Sequence, residues 1–176
     1  MTVEGGIGEF LSFGKIVDMG KTIFSAVRYG NVVGSRGSVI DLLKRSSNLA
    51  SVKVTDPTMT RFWITLDQAV ELVLFALIHM EGGEIFIPKI PSMKLGDMFS
   101  ALAPQATQEI VGIRPGEKMH EVLVTEDESR HALELEEHYV VLPEFIFFAE
   151  NPYQSHKKNG KPMQPGSRYA SETNKQ

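Results

Sequence analysis

The chain of 176 residues contains no cysteine. Disulfides, thiolate nucleophiles and cysteine metal sites are therefore excluded. The absence fits a reducing compartment. None of the five histidines pairs as H-x-x-x-H or H-E-x-x-H, so His120 and His131 have no partner at ligand spacing and no metal site is expected. Neither charge sign dominates. The 18 Lys and Arg face 22 Asp and Glu, a net −4, which gives no general electrostatic reason to bind nucleic acid or anionic lipid. Long apolar runs are also missing. The most apolar stretch, AVELVLFALI at 69–78, is ten residues long and holds Glu71, too short to span a bilayer. The start, MTVEGGIGEF, has no basic segment followed by an apolar one, so it is not a secretory signal. The expected setting is cytoplasmic, with no nucleic-acid or membrane partner.

What is present is ordinary for a soluble globular domain: 42% hydrophobic and 23% charged residues. Residues 1–20 have many glycines and no sustained period, so they stay unassigned. Beyond them TIFSAV (22–27) reads as a buried strand. SVIDLLKRSSN (38–48) reads as a helix with Ser38 able to cap it. SVKVT and RFWIT read as strands around the turn DPTMT. Thr65 and Gln68 form a capping box for a helix over about 66–80. That helix is apolar nearly all round and is expected to be buried, with Gly82 and Gly83 ending it.

EIFIP follows as a strand. SMKLGDMFSALA reads as a helix with Met93, Met98, Phe99 and Leu102 along one side, which is packing rather than chemistry. TQEIVGI is a strand, RPGEK a turn, MHEVLV a short helix and HYVVLP a late strand. TEDESRHALELEEH reads as a solvated acidic helix face. From Asn151 the chain is polar and rich in Pro, Gly, Lys and Ser, the composition of a flexible tail. Strands alternating with helices give an α/β or α+β class.

RYGNVVGSRGSVIDLL (28–43) follows a strand, carries glycines at 30, 34 and 37, and opens a helix. Asp56 ends a later strand. This outlines a dinucleotide-binding unit. The spacing, however, is G-x-x-x-G-x-x-G, with Asn31, Val32 and Val33 crowding the place where a pyrophosphate would approach. A cofactor pyrophosphate, another phosphate ligand at a helix N-terminus and a structural turn all remain open. Arg61 and Arg114 stand beside turns, where a guanidinium fork can meet a phosphate in fixed geometry. A surface ion pair is the plain alternative for each. YQSHK (Tyr153 to Lys157) matches Tyr-x-x-x-Lys, but it follows Pro152 in the polar tail without a helical pattern.

Taken together, FSAVRYGNVVGSRGSV, VTDPTMTRFWITLDQAVELVLFAL, GGEIFIPKIPSMKLGDMFSALAP, IVGIRPGEKMHEVLVTEDESRHALE and YVVLP resemble the bacterial inverting UDP-N-acetylglucosamine 4,6-dehydratases. These belong, with the CapD-like polysaccharide biosynthesis proteins, to the extended short-chain dehydrogenase/reductase superfamily. The likeness covers residues 21 to about 145 and is weaker over GKPMQPGSRYASETN.

The resemblance implies an α/β fold, the C-terminal part of an extended short-chain dehydrogenase Rossmann fold with its smaller substrate-binding lobe. Residues 21–148 would carry it, and 149–176 would form a polar tail. It also implies a UDP-sugar ligand. Asn31 would contact the substrate diphosphate, Ser38 and Val39 the uracil-ribose end, Arg61 and Arg114 phosphate oxygens, and Glu117 the ribose. The backbone near Tyr29 would touch the nicotinamide.

In the complete enzymes NADP takes hydride from sugar C4. Water then leaves across C5–C6, and hydride returns to C6. The family's dinucleotide turn, catalytic Tyr-x-x-x-Lys helix and acid-base residues have no match in this chain. A truncation with a shifted reading frame over residues 1–20 is the expectation. No catalytic residue is assigned, and NADP is not expected to bind this chain alone. Self-association or pairing with a missing Rossmann half is expected. The alternatives are a non-enzymatic nucleotide-sugar-binding or partner subunit, or a non-functional gene remnant.

Overall fold

The structure is a computed structural model that describes residues 23–34, 50–144 and 153–174. The expected helix at 38–48, with Ser38 and Val39, lies outside the described residues, as does the stretch 1–20. The largest sheet has five strands in the order β1-β5-β10-β9-β11. These are β1 (Ala26–Val27), β5 (Ile85–Pro88), β9 (Ala132–Glu134), β10 (His138–Val141) and β11 (Lys161–Pro162). β1 runs parallel to β5 with Ala26 opposite Ile85. Parallel neighbours need a long crossover, and this one contains α1 (Leu66–His79). β10 lies antiparallel on the other side of β5, with Val140 opposite Phe86.

Three smaller sheets complete the fold. β2 (Asn31–Val32), β4 (Thr60–Ile64) and β6 (Ser92–Lys94) form one, with Asn31 opposite Trp63 in a parallel pairing. β3 (Ser51–Val54) pairs in parallel with β7 (Thr107–Ile110). β8 (Val122–Val124) pairs with β12 (Tyr169–Ala170). Helix α2 (Leu95–Leu102) packs against β3 and β6.

The main core is continuous across these sheets. Phe62 and Ile64 of β4 meet Ile87, Leu123, Val124, Met163 and Tyr169. A second cluster seats Leu72 and Ala76 of α1 on Phe86 and Val140. Each fully buried side chain of this size contributes about 1.5–3 kcal/mol.

Several expectations are corrected. The Thr65/Gln68 capping box forms as expected, but α1 is not buried all round. Ala69, Leu72 and Ala76 are buried, while Leu66, Val70, Leu74, Leu77 and Ile78 are exposed. A helix resting on one sheet buries only the stripe at i, i+3 and i+7. The helix stops at His79, capped by Met80, ahead of the glycines. Gly82 and Gly83, at φ +118° and +88°, instead make the turn into β5.

MHEVLV is not a helix. Its β-branched residues form β8, because the C-terminal β12 supplies a partner strand. SMKLGDMFSALA begins as strand β6, so Met93 is exposed beside β4 and does not share a helix face with buried Met98 and Phe99. Leu102 is exposed as well. The acidic stretch forms a 3-10 turn (Glu128–His131) and then β9, and it buries Ser129, Ala132 and Leu133.

Residues 153–174 are not a flexible tail. They form α3 (Gln154–Asn159), β11 and β12, and they place Tyr153, His156, Met163, Tyr169 and Ala170 in the interior. Composition misled here because the few apolar residues of this segment are the ones that enter the core.

Candidate nucleotide-sugar site

Strands β2 and β4 bring the expected residues together. Gly30 allows this. A Cβ there would lie 2.4 Å from the Phe62 Cβ and 2.6 Å from the Phe62 carbonyl oxygen. The first glycine of the loop is therefore needed for strand packing, and the space beside it is filled by protein.

Arg61 points into the loop that follows β7. Its Nη1 donates to the carbonyls of Thr60 (2.8 Å) and Met119 (3.2 Å). Its Nη2 is 3.7 Å from Glu117 Oε1, and its Nε is 3.7 Å from Glu121 Oε1. The side chain is 13% exposed. Arg61 is thus the hub that ties β4 to residues 117–121.

Glu121 is a residue that sequence reasoning missed, because MHEVLV read as a short helix and nothing in that reading marked its glutamate. One of its oxygens accepts from Asn31 Nδ2 at 3.0 Å, the other from the Phe62 N–H at 2.9 Å. Burial pushes its carboxyl above the ordinary range. The Phe62 N–H, the Asn31 amide, Arg61 and Lys118 offset part of that effect. The Glu121 N–H donates to Ser171 Oγ at 2.9 Å, and Ser171 Oγ lies 2.6 Å from Thr60 Oγ1. The C-terminal segment thereby braces the site from behind. His120 Nδ1 is 2.8 Å from Thr60 Oγ1, a structural contact.

Glu117 closes the RPGEK turn, accepting from the Arg114 N–H at 3.2 Å and from Thr55 Oγ1 at 3.3 Å. Arg114 is exposed, and among the described residues its guanidinium has no partner. So Asn31, Arg61, Glu117 and Glu121 form one connected cluster, with Arg114 at its outer rim.

Tyr29 is half-buried between the two larger core clusters. Beside it Arg28 makes a bidentate pair with Glu128, at 2.9 and 2.8 Å, and also donates to the Leu123 carbonyl. Burial opposes ionisation of Glu128, but Arg28 and the Thr125 N–H outweigh it and hold the carboxyl below its usual range.

The Tyr-x-x-x-Lys match is structural. Tyr153 precedes α3 in a left-handed conformation, φ 64°. Its hydroxyl donates to the Gly82 carbonyl at 2.6 Å. Burial first, then Glu84 and Glu81, push its pKa up, opposite to what a proton-accepting tyrosinate needs.

No group of three or more potential metal ligands occurs among the described residues. No helix among them is long and apolar enough to cross a membrane.

Known proteins match this chain over most of its length. A UDP-N-acetylglucosamine 4,6-dehydratase (inverting) of Campylobacter jejuni is 42% identical over 170 residues, covering 94% of this chain and 51% of that protein. A UDP-glucose 4-epimerase of Rickettsia massiliae is 38% identical over 125 residues, covering 68% of this chain and 37% of that one. The X-ray structure of Pen from Bacillus thuringiensis superposes with a TM-score of 0.73 at 36% identity, over 86% of this chain and 46% of that chain. The chain thus spans about half the length of the first curated relative, 51%, and its α/β fold is part of an extended short-chain dehydrogenase fold. The polysaccharide biosynthesis protein family matches residues 9–143, a range that opens inside the stretch left unassigned from sequence. That match takes in most of the chain and every described residue of the cluster around Arg61, and the chain belongs to this polysaccharide biosynthesis family.

Proposed function

We propose that this chain is the nucleotide-sugar-binding portion of a UDP-N-acetylglucosamine 4,6-dehydratase of polysaccharide biosynthesis, and that alone it does not complete the reaction. The observation that carries this is the exposed Arg114 guanidinium, without a partner among the described residues, on a turn that Glu117 anchors to Arg61. An arginine fork held on a rigid turn suits a diphosphate. Arg114 takes the phosphate oxygens directly. Arg61, more enclosed, supplies positive charge behind it, and Glu117 takes the ribose hydroxyls. Ser38 and Val39 are assigned to the uracil-ribose end by likeness to the family.

NADP is the cofactor of the complete enzymes, and the backbone near Tyr29 would face its nicotinamide. Gly30 serves strand packing, since its Cβ position is taken up by Phe62, and no cofactor pyrophosphate is assigned to it.

The test is a titration of the full chain with UDP and with uridine, followed by NMR or calorimetry. UDP should bind with Kd on the order of 0.1–1 mM. Arg114→Ala should weaken UDP by about tenfold and leave uridine unchanged, as expected for a charge-assisted contact. Equal affinities for UDP and uridine would refute the phosphate role.

A further inference from the structure

The orientation of one amide in the cluster is dictated by its neighbours. Asn31 Nδ2 faces Glu121 Oε1 at 3.0 Å and the Phe62 carbonyl at 3.4 Å. A carboxylate and a carbonyl are both acceptors. Turning the amide over would set its oxygen against two other oxygens, so the amino group must point inward. Both amino protons are then committed. The Asn31 carbonyl oxygen receives no hydrogen bond among the described residues, and Asn31 is only partly buried, which leaves that oxygen for a ligand. Glu121 is itself fixed by the Phe62 N–H at 2.9 Å, and Ser171 holds its backbone at 2.9 Å.

A phosphate offers acceptor oxygens and, when fully ionised, no donor. A carbonyl cannot bind it. Taken with the nucleotide-sugar reading above, on which this step rests, we infer that Glu121 is a positioning residue that turns Asn31 into a hydrogen-bond acceptor for a hydroxyl or amide N–H of the sugar, and that Asn31 is not a ligand of the diphosphate. This revises the role that family likeness gives to Asn31. It also divides the labour of the site. Arg114 and Arg61 read the charged middle of the ligand, and Asn31 reads the donor groups of its sugar. A glutamate in this place is what makes the division possible, because glutamine has only one acceptor oxygen.

The experiment uses the full chain with uridine, UDP and UDP-N-acetylglucosamine as probes. Asn31→Ala should weaken UDP-N-acetylglucosamine by about three- to tenfold, the usual range for one neutral hydrogen bond, and leave UDP unchanged. In Glu121→Gln the single carbonyl stays on the Phe62 N–H, so the amino group faces Asn31 and reverses its amide. That variant should lose the same sugar preference while Asn31 is still present, and UDP should bind at least as well as before. A ligand-free readout accompanies these. The Asn31 side-chain amino protons should exchange slowly with water in the wild-type chain and faster in Glu121→Gln, followed by NMR. If those protons exchange alike in both proteins, the amide is not held by Glu121 and the proposal falls whatever binds. If Asn31→Ala weakens UDP and UDP-N-acetylglucosamine equally, Asn31 does not read the sugar; the proposal falls and the nucleotide-sugar reading stands. If none of the three ligands binds the wild-type chain at millimolar concentration, both fall together.

Discussion

His156 Nε2 lies 3.3 Å from Glu84 Oε1, and neither side chain reaches solvent in any quantity, with exposures of 3% and 0%. The pair joins helix α3 of the C-terminal segment to the turn that leads into strand β5. Around it, Ser25 Oγ donates to Glu84 at 2.6 Å, and the backbone N–H groups of Glu81 and Gly82 donate to the same carboxylate. Glu81 faces His156 from the same turn at 3.9 Å. A buried carboxylate with this many donors is a structural anchor. Among the described residues it shares no hydrogen bond with the Arg61 cluster, and it explains why a polar segment stays attached.

This anchor makes stability depend on acid. Burial alone would raise the Glu84 pKa. Hydrogen bonds from His156, Ser25 and the backbone outweigh burial and bring it from 4.5 to about 2. The folded value lies below the unfolded one, so the stabilisation is complete above about pH 4.5 and is lost as pH falls toward 2. The shift corresponds to at most about 3 kcal/mol. Thermal unfolding followed against pH should show the melting temperature dropping across that window. Glu84→Gln should flatten the drop and lower stability at neutral pH. An unchanged acid profile in the variant would show that Glu84 is not the group responsible.

The C-terminal strand should be sensitive to the loss of a single hydroxyl. Tyr169 is buried, and its hydroxyl both accepts from the Ile90 N–H at 2.9 Å and donates to the Ile90 carbonyl at 3.0 Å. Burial pushes its pKa up to about 12, so it stays a neutral donor and acceptor. Tyr169→Phe keeps the ring contacts with Phe62 and Tyr139 and removes only the hydroxyl. Asn174 still donates to the Ile90 carbonyl, which leaves the Ile90 N–H unpaired. Urea unfolding should show a loss of about 1–2 kcal/mol. A neutral result would mean that water replaces the hydroxyl and that the segment is looser than its packing indicates.

Local signals were the legible part of this chain. The Thr65/Gln68 capping box and the strands at 51–54, 60–64, 85–88 and 138–141 follow from adjacent residues, with alternating burial in 60–64. Arg61 was singled out by its place beside a turn and Glu117 through the family resemblance, and they do lie together. The illegible part depends on partners distant in sequence. Val122–Val124 becomes a strand because Tyr169–Ala170 lies beside it. Glu121 matters because its acceptors meet Asn31 and Phe62, residues 90 and 59 positions away. The outer side of α1 is exposed because burial of a helix is decided by what packs on it, and a uniformly apolar sequence does not reveal that.

That exposed side has a measurable consequence. Leu74, Leu77 and Ile78 lie at i, i+3 and i+4 on one face of α1, exposed by 53%, 60% and 76%. Ile23 and Phe24, just before β1, are also exposed. Water contact over such a continuous apolar face favours association. The purified chain should sediment as concentration-dependent oligomers in analytical ultracentrifugation. Leu77→Lys should shift the distribution toward monomer with little change in melting temperature, since Leu77 adds little to the core. Unchanged sedimentation would place the association surface elsewhere.

The remaining prediction concerns catalysis. YQSHK is the one Tyr-x-x-x-Lys in the sequence, so it is the place where a short-chain dehydrogenase type of proton transfer could be sought. The geometry opposes it. The Tyr153 hydroxyl gives its proton to the Gly82 carbonyl, and its N–H donates to Glu81 at 2.6 Å. Burial and two carboxylates disfavour the tyrosinate. A base for sugar C4 oxidation needs the reverse, an ionised oxygen stabilised by nearby positive charge. The full chain incubated with NADP and UDP-N-acetylglucosamine should therefore form no 4-keto product above a protein-free blank. Tyr153→Phe should lower stability by about 1 kcal/mol through the lost hydrogen bond and change nothing else. A 4-keto product that disappears in Tyr153→Phe would make Tyr153 catalytic and overturn this account. A product that survives the substitution would require a different base in the chain.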